Sequence, residues 1–158
     1  MTFERTLLAA ALALSSFVAS AGTVQVTVTG ADGKPAANVV VQVRPTAAWT
    51  PRPAPPVAVV TQQDIRYEPF VTVVPKGGSV RFVNRDAYDH HVRSLPGGPL
   101  GSVAPAKQID LRMGPAKGGN DSSAEVVMDQ AGAIVLGCHL HGSMRGHVFV
   151  SDAPWSAV

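Results

Sequence analysis

The sequence predicts an all-β domain, a sandwich or barrel built from short strands. Valine-rich segments alternate apolar and polar residues with a period of two at several places along the chain. Fifteen glycines and thirteen prolines punctuate the chain too often for long helices. No window carries a 3.6-residue apolar period over three turns. At 158 residues, 46% of them hydrophobic, the chain has room and apolar material for one domain, or one domain plus an extension. Aromatics are only 6%, so Val, Ala, Ile and Leu must fill most of the core.

The first 21 residues stand apart. Arg5 precedes the apolar run Leu7 to Leu14, and Ala19-Ser20-Ala21 forms an A-x-A cleavage site. This is the pattern of a secretory signal, cut after Ala21. The run falls short of the ~20 residues that a bilayer span needs. A periplasmic or secreted protein with no membrane span after cleavage is the expectation. Losing Glu4 and Arg5 leaves the net charge at +2, too weak a surplus to attract nucleic acid. It permits a mildly basic docking face for an acidic partner.

Val24, Val26 and Val28 alternate with polar residues, the segment 30–35 reads as a turn, and Val39, Val41 and Val43 alternate again. That pattern predicts an N-terminal β-hairpin. Pro45, Pro51, Pro53, Pro55 and Pro56 follow, and proline has no N–H to give an interior strand. Residues 22–56 are therefore expected to be a hairpin and its Pro-rich connection, either joined to the sandwich or appended to it. Strands are expected over 57–62, 70–74, 79–84, 107–113, 126–127, 133–136 and 148–150. Segments 96–106 and 114–123 read as loops, and 153–158 as a C-terminal tail.

The chemistry-bearing residues cluster in two places. All five histidines fall in Asn84–Val92 or Cys138–His147, and the second segment also holds the only cysteine and Met144. A lone thiol in an oxidising compartment survives by burial, by an intermolecular bridge, or by binding a metal. A thiolate and two imidazoles with a weak thioether form a copper site that suits both oxidation states. Cys138 ends an apolar strand, and the loop 139–145 can curl so that His141 and Met144 face one ion. A first histidine would come from across the sandwich, at the end of strand 79–84. Gly142 and Gly146 supply turn freedom. Met144 could instead fill a gap in the core, leaving three ligands. Zinc gains little from a thioether, so Met144 argues for copper over zinc. Asp86 reads as a turn residue bonded to local backbone.

The paired motifs N-x-D-x-x-x-H-x-V and C-x-x-H-x-x-M-R-G-x-V resemble those of the cupredoxins, the blue copper proteins of plastocyanin and amicyanin type. The likeness spans residues 57–152, and the Cys-to-His-to-Met spacing is most similar to the short ligand loop of amicyanin. It implies a Greek-key β-sandwich of the cupredoxin type, holding one mononuclear copper through His90, Cys138, His141 and Met144. His91 stands where plastocyanins usually carry an Asn that braces the cysteine loop, so it could hydrogen-bond there or exchange roles with His90. Asn84 would orient the loop bearing Cys138. His139 and His147 are expected to be non-ligands. The resemblance implies a monomeric electron carrier, not an enzyme, that passes single electrons between periplasmic donor and acceptor proteins. Electrons would pass through a half-exposed His141 ringed by Pro96, Leu100 and the loop around Met144. Copper delivery, storage or resistance is the alternative, motivated by the extra histidines. A catalytic multicopper domain would need more histidines than five.

Overall fold

The computed structural model describes residues 23–50 and 57–158. The expected signal and residues 51–56 of the Pro-rich connection lie outside them. Eleven strands are formed: β1 Val41–Val43, β2 Ala58–Gln63, β3 Arg66–Glu68, β4 Val71–Pro75, β5 Ser79–Asn84, β6 His90–Leu95, β7 Asp110–Met113, β8 Ser122–Val127, β9 Gly132–Cys138, β10 Arg145–Ser151 and β11 Trp155–Ala157. No α-helix occurs among the described residues, and none is long and apolar enough to cross a membrane.

Two sheets form the sandwich. One has the order β4-β10-β9-β6-β7 and the other β3-β2-β5-β8. Strand β4 runs parallel to β10, and β2 parallel to β5; the other pairs within the two sheets are antiparallel. The period-two pattern explains the core. Val80 and Phe82 on β5 are fully buried while Arg81 between them is exposed. From the facing sheet, Val92, Ile134, Leu136, Val148 and Val150 meet them in one apolar cluster. Each such side chain contributes about 1.5–3 kcal/mol by leaving water. Three methionines, Met113, Met128 and Met144, help fill this aromatic-poor interior.

Strands β3, β6 and β11 were not among those the pattern predicts. Strand β3 is three residues long, and β6 carries two histidines, Arg93 and Ser94, so neither shows a clean alternation. Around the turn at 30–35, Thr29 bridges Pro35, and the Ala36 N–H donates to the Val28 carbonyl at 2.9 Å. The arms of the expected hairpin do not pair further. Strand β1 instead pairs antiparallel with β11, so residues expected as a tail form a strand. Gln42 and Arg44 reach β10 and its following residue by bonding Ser151 and Asp152. The partner was hidden because a three-residue strand shows only where another edge is free to receive it.

Candidate metal centre

His90 opens β6, and Cys138 closes β9, its antiparallel neighbour in the same sheet. The register places Val92 opposite Cys138. This corrects the expectation that the first histidine comes from across the sandwich. Strand β5 does belong to the opposite sheet, but the loop 85–89 crosses over before His90 is reached. His141 follows in the β9–β10 loop. That loop is closed by the Met144 N–H donating to the His141 carbonyl at 3.0 Å, and by Arg145 donating to the carbonyls of Gly142 and Met144.

The three side chains converge. Cys138 Sγ lies 3.6 Å from His90 Nδ1 and 3.4 Å from His141 Nδ1. One donor atom from each lies within 4.8 Å of the other two, and no other such group occurs among the described residues. His90 is fully buried, Cys138 nearly so, and His141 half-buried. The backbone N–H of His91 donates to Cys138 Sγ at 3.4 Å, which would stabilise the sulfur as thiolate. Soft sulfur with two imidazole nitrogens fits a thiophilic transition metal. The two-sheet sandwich and the Cys–His–His cluster agree with what the cupredoxin resemblance implies.

No protein-family model matches the chain, and no curated protein does. Solved structures do match. The chain is similar to a reduced mutant of amicyanin, at 27% identity over 60% of this chain and 82% of that one, with a TM-score of 0.46. It is similar to a reduced Cu(I) amicyanin mutant at 26% identity, covering 62% and 85% of the two chains, with a TM-score of 0.46. Amicyanin from Paracoccus versutus matches at 24% identity over 60% and 81%, with a TM-score of 0.47.

Around this cupredoxin-like cluster, the supporting residues differ from expectation. Asn84 is fully buried, and its amide donates to the carbonyls of Tyr88 and Gly114, both at 2.8 Å. Its oxygen accepts from the Asp86 N–H at 2.9 Å. Asn84 thus orders the loop leading to His90, not the loop bearing Cys138. His91 does not exchange roles with His90: alternation along β6 turns its ring to the outer face, where Nε2 meets Asp110 at 2.5 Å. It braces the cysteine segment through its backbone instead, the carbonyl accepting from the His139 N–H at 3.1 Å. His139 is exposed, its ring 5.6 Å from that of His91. His147 lies farther along β10 with its ring edge on Phe70.

Asp86 is more than a local turn residue. Its carboxylate lies 2.8 Å from His90 Nε2 and accepts backbone N–H groups of Asp64 and Ile65, some twenty positions away in sequence. Burial raises its pKa, but the bonds from His90, Asp64 and Ile65 outweigh burial and hold the carboxyl below the usual range. The four-residue spacing from Asp86 to His90 was the available sequence signal. Tyr67 was also unforeseen. Its hydroxyl donates to the Gly137 carbonyl at 3.0 Å, next to Cys138. Burial, with Cys138 nearby, pushes that hydroxyl well above the ordinary phenol range, so it remains a donor. Gly146 serves this contact rather than a turn. A Cβ there would meet the Tyr67 Cβ at 2.8 Å.

Met144 is buried in the same apolar cluster as Cys138. Pro96 and Leu100 do not ring His141. They follow the far end of β6, and five residues of strand put that end about 16 Å from His90. The apolar surface near the cluster is instead that of Leu140, 42% exposed, and Tyr88, 41% exposed, whose ring packs on both His90 and His141 at 5.4 Å.

Proposed function

We propose that this chain is a periplasmic type 1 copper protein that carries single electrons between two redox proteins. The observation that supports this best is the convergence of Cys138 Sγ with the Nδ1 atoms of His90 and His141. A copper held there would supply a one-electron couple. His90, Cys138 and His141 would hold it, with Met144 offering a weak thioether. His90 is held from behind by Asp86, and Cys138 by the His91 N–H. Bracing both ligands limits their rearrangement between oxidation states. His141, less buried than the other two, offers the edge through which an electron would leave, and Tyr88 and Leu140 give a partner an apolar surface beside it. The cited amicyanin structures include a Cu(I) form.

The test is the visible and EPR spectrum of the protein lacking residues 1–21 after one equivalent of Cu(II). An intense thiolate-to-copper band with narrow hyperfine splitting is expected, and it should vanish in Cys138→Ala. A colourless protein with an ordinary tetragonal signal, unchanged by Cys138→Ala, would sink the reading. Copper handling by histidines, with His91 and His139 as the first suspects, would then be the better account.

A further inference from the structure

We infer that Asp86 is a positioning residue that keeps His90 Nδ1 free for the metal and places a fixed negative charge on the far side of its ring, favouring the oxidised centre. This rests on the copper reading above. The imidazole of His90 has two nitrogens and is fully buried. Its Nδ1 faces Cys138 Sγ, while its Nε2 lies 2.8 Å from Asp86 Oδ2. An ionised carboxylate can only accept, so Nε2 must carry the proton, and the lone pair is left on Nδ1. The same contact makes the imidazole a stronger donor, which favours the higher charge on copper.

The carboxylate is itself fixed. Oδ1 accepts from the Asp64 N–H at 2.8 Å and Oδ2 from the Ile65 N–H at 3.4 Å. The Asp86 N–H donates to Asn84, and its carbonyl accepts from the Ala116 N–H. The two-residue turn that supplies those donors is unusual. Asp64 and Ile65 have φ of 52° and 59°, where such hairpins normally take Gly or Asn, and a β-branched residue is strained there. The Asp86 carboxylate takes up both N–H groups of that turn. Turn, carboxylate and buried histidine therefore form one chain of contacts from the protein surface to the metal cluster.

The decisive measurement is the reduction potential of the copper-loaded protein against its Asp86→Asn variant. Removing the charge should raise the Cu(I):Cu(II) ratio at fixed solution potential about tenfold, a shift of 59 mV for one electron. The visible band should persist. Ile65→Gly keeps the charge and relaxes the turn, so its potential should match the wild type. An Asp86→Asn protein that is less stable but has an unchanged potential would show that Asp86 only caps the turn, overturning the inference. Should Asp86→Asn not fold, 15N NMR of His90 in the metal-free wild type still decides. The Nε2–H tautomer is expected, and Nδ1–H would refute it. Absence of the blue band in the wild type would overturn the copper reading alone, since the tautomer is read without metal.

Discussion

The two-sheet sandwich and the N-terminal arm are written with the same alternating valines, yet they end in different environments. Val60, Val80 and Val92 are at most 1% exposed, whereas Val24 is 69% and Val26 52% exposed. Period-two alternation gives both segments the same apolar and polar pattern. Only the sandwich has a second sheet to cover its apolar residues. The arm has just the three-residue edge of β11 and a few polar ties, which leaves an apolar cleft of about 1170 Å³ lined by Val24, Val26, Val28, Val39 and Trp155. Pattern alone therefore does not confer burial; a facing layer does.

Substitutions in the two regions should separate accordingly. Phe82→Ala, in the middle of the sandwich, should cost about 3–5 kcal/mol in urea unfolding. Trp155→Ala, half-exposed on β11 where the arm pairs, should cost less than about 1 kcal/mol. Equal losses would mean that the arm is as much a part of the cooperative core as β5.

Gly146→Ala probes the sandwich where it meets the metal cluster. Its new methyl would press on Tyr67, so a loss of about 1–3 kcal/mol is expected, together with an altered copper spectrum. Tyr67→Phe removes only the hydroxyl from the Gly137 carbonyl and should cost about 1 kcal/mol, leaving the spectrum nearly intact. A spectrum lost in Tyr67→Phe would give that hydrogen bond a direct role in holding Cys138.

The smallest effect is expected where Arg44 ties the arm to the end of β10. The hydrogen bond from Arg44 holds the Asp152 carboxyl below the usual range. A folded-state pKa below the unfolded one means that the tie is complete above about pH 4, and it weakens as pH falls through the folded value. Protection factors at the Trp155 and Ala157 amides, corrected for the intrinsic slowing of exchange in acid, should therefore fall at low pH, more so than in β5, and Arg44→Ala should flatten that dependence. Identical acid sensitivity in both strands would remove the distinction.

Much of the site was legible because its chemistry is concentrated. One cysteine, His141 three residues later and His90 two residues before Val92 leave few arrangements for a thiolate centre, and the structure brings those three together. Asp86 and Tyr67 were not legible in the same way. Each acts through a partner distant in sequence, Asp64 and Ile65 for one and Gly137 for the other, and neither contact leaves a local pattern. Pro96 and Leu100 misled because loops join strand ends on opposite sides of the sandwich, and sequence order does not say which end a loop occupies.

Local physics in the sequence determined the strand character of most of the domain, the punctuation by Gly and Pro, and the donor atoms available to a metal. The tertiary structure alone decided that His90 and Cys138 are neighbours in one sheet, that β1 pairs with β11, and that His91 faces outward beside a buried His90. Strand propensity and alternation are properties of adjacent residues. Sheet order and register depend on which distant edges meet, and that is set by the packing of the whole chain.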